Sequence, residues 1–285
     1  MRTTRTSLVT ALLTLSICVS VASAGAPIGP PVAILGEGQW SVGGEFAHEQ
    51  MDMEAYGKVT DQSIPFFWTQ QFEIEDLTSN MAFGNIAYGV TDNWDIFLRV
   101  GAADAADDIT IPPADTGATE QQDSFDGGYG LAWGIGTRAT FGRWGPWSFG
   151  GTLQATWFKP GDSDYTITDP FQPDQTWSGD VELDYWQTQV SLAAAYDAEG
   201  LRLWAGPFLQ FIAGDMDFDG QITVAGISSE FTWASDLNES SQIGGFAGAS
   251  IDLGEEWSLW GEGQITGDSW LIGVGLVFIP ENYDL

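Results

Sequence analysis

The chain has almost no side chains that bind metal through nitrogen or sulfur. It contains one cysteine, Cys18, and one histidine, His48, in 285 residues. One cysteine cannot close a disulfide within the chain, and a zinc site draws most of its ligands from Cys and His. Composition therefore excludes a disulfide framework and argues against a zinc centre.

Basic residues are also scarce. Eight Lys and Arg residues stand against 40 Asp and Glu residues, which gives a formal net charge of −32. Such a chain repels the phosphates of a nucleic acid and attracts divalent cations. We therefore expect no nucleic-acid partner and regard divalent cations as candidate partners.

Beyond its N-terminal region the sequence lacks any apolar run of about 20 residues, the length that a membrane-spanning helix needs. An apolar stretch at residues 8–21 follows two arginines and precedes Ala22-Ser23-Ala24. A short apolar segment with these flanks is typical of a secretory signal peptide. We predict a signal peptide over residues 1–24, with cleavage before Gly25.

The predicted signal peptide contains Cys18, so the mature chain would have no cysteine. Cleavage as a lipoprotein at Cys18 is the alternative, although Ile17 is bulky where a small residue is expected. We divide the rest of the chain into a Pro-rich periplasmic lead (25–37), a β-barrel (38–279) and a C-terminal tail (280–285).

Glycine and aromatic residues are abundant, with 36 Gly, 14 Trp and 17 Phe. From about residue 39, apolar residues alternate with small or polar ones in ten segments, the first of which contains Trp-Ser-Val-Gly-Gly-Glu-Phe (40–46). Because side chains alternate faces along a strand, each segment has one apolar face. Seven tryptophans near segment ends are predicted to form an aromatic girdle at the membrane interfaces: Trp40, Trp94, Trp147, Trp157, Trp186, Trp257 and Trp270.

The connections between these segments alternate between short and long. The long ones are residues 49–79, 102–126, 159–185 and 213–241, and they contain 27 of the 40 acidic residues. Short periplasmic turns alternating with long extracellular loops are typical of a membrane barrel. We predict an all-β fold: a closed, antiparallel, up-and-down transmembrane β-barrel of about ten strands with acidic extracellular loops.

Two alternatives to this architecture remain at the sequence level. Residues 66–74 and 221–233 could each add a strand, which would give twelve. A soluble barrel of the lipocalin type is the other alternative, and it would place the large aromatic side chains inside and polar side chains outside.

The stretch Tyr88-Gly-Val-Thr-Asp-Asn-Trp-Asp-Ile-Phe-Leu-Arg-Val-Gly101, together with residues 269–278, resembles the outer-membrane protein A-like β-barrel domain family of Gram-negative envelopes. The resemblance implies location in the cell outer membrane, contact with its lipid, and insertion by the barrel-assembly machinery. In that family the machinery reads a Gly-containing last strand that ends in an aromatic residue. Gly273, Gly275 and Phe278 fit this signal, although seven residues follow Phe278.

Six charged residues fall on inward-facing positions of the predicted strands. They are Glu45, Asp95, Arg99, Arg138, Arg202 and Glu262. One interpretation is a paired network that fills a narrow lumen, and the other is a selectivity filter. The first favours a non-enzymatic role in envelope structure or surface interaction, and the second a narrow, cation-preferring, porin-like channel.

Two further motifs suggest chemistry. Asp215, Asp217 and Asp219 precede Gly220 with the spacing of a calcium-binding loop, but Gly226 stands where such a loop has its bidentate Glu. The alternative is an exposed strand whose acids alternate toward water, and no other cofactor is expected. His48 is the candidate base of a barrel-embedded hydrolase, a weaker hypothesis because no D-x-H pattern accompanies it.

Overall fold

The structure is a computed structural model that describes residues 26–61, 66–111, 121–168, 175–239 and 242–280. Twelve antiparallel β-strands cover most of these residues. Their bounds are β1 (Trp40–Asp61), β2 (Phe66–Thr91), β3 (Trp94–Ile111), β4 (Gln121–Trp144), β5 (Trp147–Lys159), β6 (Ser163–Thr168), β7 (Gln175–Ala198), β8 (Leu201–Val224), β9 (Ile227–Glu239), β10 (Ile243–Asp252), β11 (Trp257–Ile265) and β12 (Ser269–Phe278). No helix within these ranges is long and apolar enough to cross a bilayer.

Ten of the strands form a closed ring. The order around it is β1–β2–β3–β4–β5–β7–β8–β10–β11–β12, and β12 pairs again with β1. The closing register runs from Val42 opposite Phe278 to Met51 opposite Ser269. The predicted ten-stranded up-and-down barrel is therefore confirmed.

The remaining two strands lie at one end of the barrel. Where β10, β11 and β12 have ended, β9 pairs with β8 on one side and with residues 53–61 of β1 on the other. Strand β6 pairs with the start of β7, and Asp126 N of β4 donates to Ser163 Oγ of β6 at 3.1 Å. We call this part of the molecule the extension; it comprises β6, β9 and residues 53–61, 66–75, 105–111, 121–127, 175–184 and 213–224 of the neighbouring strands.

The long connections predicted as loops are largely strands. β1 continues to Asp61 and β8 continues to Val224, so the backbone keeps its ladder hydrogen bonds well beyond the predicted ends. Of the two suggested extra strands, residues 66–74 are continuous with β2, whereas 221–233 cover the end of β8 and the start of β9. The prediction of loops was wrong there. Apolar and polar residues continue to alternate, but the apolar side chains now face inward and the polar ones outward.

The ten-stranded wall is apolar on its outer surface. Leu98, Ile135 and Leu153, in the middle of three neighbouring strands, expose 43%, 55% and 50% of their surface. Their neighbours Arg99 and Gln154 point inward and are buried. Apolar side chains outside and polar ones inside is the arrangement of a transmembrane barrel.

The extension has the opposite arrangement. On β7, Val181 and Leu183 point inward and are almost fully buried, whereas Glu182 and Asp184 are exposed. This is the polarity of a soluble barrel, with an apolar interior and a hydrated outer face. The molecule thus combines, on one continuous set of strands, both patterns that the sequence analysis treated as alternatives.

Candidate functional site

The interior of the ten-stranded wall is occupied by the chain's own N-terminal segment. We call residues 26–35 the lumen segment, and its side chains Ala26, Ile28, Val32 and Leu35 expose 0%, 3%, 2% and 2% of their surface. We predicted a periplasmic position for these residues, whereas the structure places them inside the barrel. Pro27, Pro30 and Pro31 prevent strand pairing, and the apolar side chains around them are buried in the lumen.

One end of the lumen segment is held by wall side chains near mid-height. The amide of Ala26 donates to Gln187 Oε1 at 2.8 Å, and its carbonyl accepts from Gln154 Nε2 at 3.0 Å. The amide of Ile28 donates to Glu262 Oε1 at 2.9 Å. Because a segment with prolines cannot satisfy its own backbone groups, these side chains replace the missing ladder partners.

The other end is held at the end of the barrel that carries the short turns. Ala33 N donates to Thr140 Oγ1 at 3.1 Å, and Ile34 N donates to Asp95 Oδ2 at 2.8 Å. Gly38 N then donates to Gly89 O at 2.9 Å, directly before β1 begins. The lumen segment therefore runs along the barrel axis, with Ala26 farthest from the short turns.

Four glutamines from separate strands meet beside Ala26. Gln189 Nε2 donates to Gln210 Oε1 at 3.1 Å and to Gln264 Oε1 at 3.0 Å, and Gln154 Nε2 lies 2.5 Å from Gln189 Oε1. All four are at most 3% exposed. This cluster was not predicted from the sequence, since inward polar residues look alike there and only strand register shows which ones meet.

Four of the six predicted lumen charges form two buried ion pairs. Arg99 Nη1 lies 3.2 Å from Glu45 Oε1, and Arg138 Nε lies 3.0 Å from Asp95 Oδ2. Arg99 Nη1 also donates to the carbonyl of Pro27 at 3.1 Å. Within each pair the two charges neutralise each other, and the pairs also hold the lumen segment to the wall.

The other two predicted lumen charges lie apart. Glu262 accepts hydrogen bonds from Ile28 N, from Gln264 Nε2 at 2.8 Å and from Trp204 Nε1 at 3.1 Å. Arg202 lies at the short-turn end, 2.5 Å from Asp197, and its side chain is 29% exposed. It borders a cavity of about 180 Å³ beside the lumen segment.

Inward glycines make room for the contents of the lumen. A Cβ on Gly273 would lie 2.9 Å from Pro27 Cβ, and one on Gly275 would lie 2.4 Å from Trp260. Phe278, the third residue of the predicted insertion signal, contacts the Trp257 ring at a centroid distance of 4.8 Å. Glycine at 273 and 275 therefore leaves space for groups packed inside the barrel.

The predicted girdle tryptophans lie on the outer surface at two levels. Trp40, Trp94, Trp147 and Trp257 begin the strands that leave the short-turn end, and they are 47%, 44%, 44% and 42% exposed. At the other level, Trp157 pairs with Trp186 in register and stacks on Trp133, and Trp270 Nε1 donates to Gln50 Oε1 at 3.0 Å. Trp204 and Trp260 instead point inward and are buried.

The calcium motif lies on β8 in the extension. Asp215, Asp217 and Asp219 alternate along a regular strand and are exposed. This is the exposed acidic strand that we gave as the alternative to a calcium-binding loop. In the described ranges no three or more His, Cys, Asp or Glu side chains come together as metal ligands. The acids lie side by side without forming a loop that could enclose an ion.

Carboxylates face one another across the strands of the extension. Asp180 lies opposite Asp164 on β6 and opposite Asp219 on β8. A hydrogen bond that protonated Asp180 donates to the Asp164 carboxylate raises the pKa of Asp180, and burial together with Asp215 and Asp219 raises the pKa of Asp217. Like charges directly opposite each other weaken a sheet, so this face stores electrostatic repulsion.

His48 lies on the outer side of β1. Its Nδ1 is 3.0 Å from Asn80 Oδ1, and its ring is 5.2 Å from that of Trp270. Neither neighbour is a nucleophile or a carboxylate that could orient a general base. The described contacts of His48 therefore do not form the arrangement that the hydrolase hypothesis requires.

No protein family profile matches the chain, and no curated protein matches it in sequence. Among solved structures it is similar to the outer membrane protein OprG from Pseudomonas aeruginosa, with 12% identity over 87% of this chain and 98% of that one and a TM-score of 0.49. It is also similar to the Ralstonia pickettii toluene transporter TbuX (9%, 86% and 90%, TM-score 0.38) and to the outer membrane protease OmpT from Escherichia coli (7%, 84% and 97%, TM-score 0.42). These likenesses transfer no activity to this protein.

Proposed function

We propose that this protein is a non-enzymatic β-barrel of the Gram-negative outer membrane, closed to solutes, with a structural or surface-interaction role in the envelope. The observation that carries the proposal is the lumen segment. It fills the interior of the wall and is bonded to it at both ends. A ten-stranded barrel encloses little more than its own side chains, so the additional lumen segment leaves no open path.

The location follows from the polarity of the surface. The wall is apolar where the extension is acidic, so the wall lies in lipid and the extension in water. The short-turn end then faces the periplasm and the extension faces outward. The expected export signal at residues 1–24 agrees with this placement, and the barrel-assembly machinery is the partner that would insert the chain.

Planar-bilayer recording of the refolded protein tests the closed state. We expect no conductance from the wild type and discrete openings from a variant that lacks residues 26–35, because that deletion removes the lumen segment and leaves the wall intact. An Arg143→Ala variant, altered at the exposed end of β4, is the control and should stay silent. Steady conductance of the wild type would contradict the proposal.

One observation favours a second candidate, a cation-preferring channel gated by the same segment. Its backbone is held by amide, hydroxyl and carboxylate side chains, and water can replace such partners if the segment moves. The acidic extension would then concentrate cations at the mouth. A Pro27→Cys/Gly273→Cys pair, whose Cβ atoms would lie 2.9 Å apart, could tether the segment after a shift of about 1 Å. A gated channel should lose its openings on oxidation and regain them on reduction.

A further inference from the structure

One lumen carboxylate differs from the others. Glu49 on β1 is 1% exposed, and its Oε1 has no hydrogen-bond partner within the described ranges. Glu45 and Asp95 each face a guanidinium group, and Glu262 accepts three hydrogen bonds from side chains and backbone. Because an uncompensated buried charge is strongly destabilising, the position of Glu49 calls for a positive charge beside it.

Two hydroxyl groups lie near Glu49 in the interior of the barrel. Ser79 is directly opposite Glu49 on β2 and is fully buried. Tyr185 on β7 is 1% exposed, and its hydroxyl lies near Ser79 Oγ and interacts electrostatically with the Glu49 carboxylate. Strands β1 and β7 are on opposite sides of the ten-stranded ring, so the Tyr185 side chain reaches across the lumen. Its ring stacks on Phe158 at a centroid distance of 4.9 Å.

This cluster has more hydrogen-bond acceptors than donors. Ser79 Oγ donates its proton to the backbone carbonyl of Asp104 at 2.6 Å, so it offers only lone pairs to Glu49. An ionised carboxylate also offers only lone pairs. The Tyr185 hydroxyl has a single proton, and within the described ranges no group lies at hydrogen-bond distance from it. Lone pairs that face one another in a dry interior repel unless a positive charge lies between them.

The cationic side chains of the described residues lie elsewhere. Two are in the buried ion pairs, one is at the short-turn end, one is at the exposed end of β4, and two are exposed in or beside the extension: Arg99, Arg138, Arg202, Arg143, Lys58 and Lys159. A compensating cation would therefore come from solution. One carboxylate balances one positive charge, whereas a divalent cation would leave a net charge in the interior and prefers roughly six to eight oxygen ligands.

We propose that the Glu49 carboxylate, Ser79 Oγ and the Tyr185 hydroxyl bind one monovalent inorganic cation, such as Na⁺, where the lumen meets the extension. The carboxylate neutralises the cation, and the two hydroxyl oxygens replace part of its hydration shell. Because the site joins β1 and β2 to β7 across the barrel, the bound cation stabilises the folded molecule. This inference goes beyond the proposed function, since it holds whether or not the barrel conducts.

Unfolding with urea, which carries no charge, tests the site. The refolded protein in an uncharged detergent is compared in NaCl, KCl and choline chloride at the same pH and ionic strength. Choline is too large to bind between buried side chains. A ligand that binds only the folded state raises the folding equilibrium constant, so we expect that constant to be at least tenfold higher in NaCl or in KCl than in choline chloride. Equal values in the three salts would overturn the proposal and would mean that Glu49 is neutral.

Two variants assign the effect to this site. Glu49→Gln keeps the shape of the side chain without its charge, and Tyr185→Phe removes the hydroxyl but keeps the ring against Phe158. We expect the first to abolish the dependence on the cation and the second to reduce it at least threefold. Asp180→Asn/Asp217→Asn removes two exposed acids and is the control, which should keep the full effect. If Glu49→Gln does not refold, Tyr185→Phe decides, and an unreduced effect in either variant would show that the cation binds elsewhere.

Discussion

At the scale of single residues, Asp95 joins the wall to the lumen segment. It is fully buried, lies 3.0 Å from Arg138 Nε and accepts from Ile34 N. Asp95→Asn keeps the shape and can still accept from the amide, but it leaves a buried guanidinium without an opposite charge. Loss of one partner of a buried pair costs about 3–5 kcal/mol, so we expect a large fall in the free energy of unfolding measured with guanidinium in detergent.

The Arg202–Asp197 pair provides the control for that measurement. Both side chains are partly exposed, at 29% and 43%. Solvent screens such a pair, so Asp197→Asn should cost at most about 1 kcal/mol. Comparable losses in the two variants would show that burial of the Asp95 pair is not what makes it important.

A second residue-scale prediction concerns the last strand. Gly275→Ala places a methyl group 2.4 Å from the Trp260 ring, whereas a Cβ on Gly263 meets nothing closer than 3.9 Å. Forcing an extra methyl group into a packed interior costs about 1–3 kcal/mol, so Gly275→Ala should lower the unfolding midpoint and Gly263→Ala should not. If Gly275→Ala instead blocks insertion while the refolded protein is fully stable, Gly275 serves the insertion signal.

The sequence predicted inward positions well and contacts poorly. Period two placed Glu45, Asp95, Arg99 and Arg138 inside, because each follows from the apolar side chains beside it. The alternation did not show which of these charged side chains form ion pairs, because that depends on the register between strands. It also could not show that residues 26–35 lie in the lumen, because a Pro-rich segment has no periodicity to read.

At the scale of elements, the acidic face of β6, β7 and β8 makes the extension sensitive to pH. The pKa values of Asp180 and Asp217 are raised, so the folded extension holds these protons more tightly than the unfolded chain does. Stability is therefore gained as pH falls from neutrality toward these pKa values and is lost as pH rises through them. Hydrogen exchange of β7 and β8 amides, corrected for the intrinsic rate, should show greater protection at lower pH.

The variant Asp180→Asn/Asp217→Asn separates this effect from others. It removes two of the facing carboxylates, so its protection at neutral pH should exceed that of the wild type and should change less with pH. High salt should narrow the difference because the face is exposed to solvent. Parallel pH profiles in the two proteins would mean that repulsion across these strands does not limit the extension.

The elements also show where sequence reasoning reached its limit. Alternation identified the strands of the wall because lipid demands an apolar face, and short turns fixed their count. The same alternation continues into β1 and β8 beyond the wall, but there the acids point outward and the apolar side chains inward. If every strand is expected to place its apolar side chains on the outer face, this exchange of faces looks like the end of a strand. The extension was therefore predicted as loops.

At the scale of the whole molecule, the exchange of polarity defines where lipid gives way to water. On β8, Phe211 in the wall is 40% exposed and Asp217 in the extension is exposed on the same face. Because Cys18 is the only cysteine, single cysteines can report each level. In lipid vesicles, Asp217→Cys should react with a sulfonated maleimide and Phe211→Cys should not.

Full denaturation in detergent is the control, and there both cysteines should react at the same rate. A water-soluble molecule with its wall exposed to solvent would instead label Phe211→Cys as readily as Asp217→Cys without denaturation. That result would remove the basis for placing the wall in lipid, and with it the proposed location of the protein.

Strand β9 limits how far β1 and β12, the first and last strands of the wall, can separate. The first and last strands meet over ten residue pairs, from Val42 to Met51, and from Met53 onward β1 is held by β9 instead. A seam that opened between β1 and β12 would thus stop at β9 and could not run the full height of the molecule. Strand exchange between two copies, or between this barrel and an assembly partner, would be confined to the membrane-embedded half.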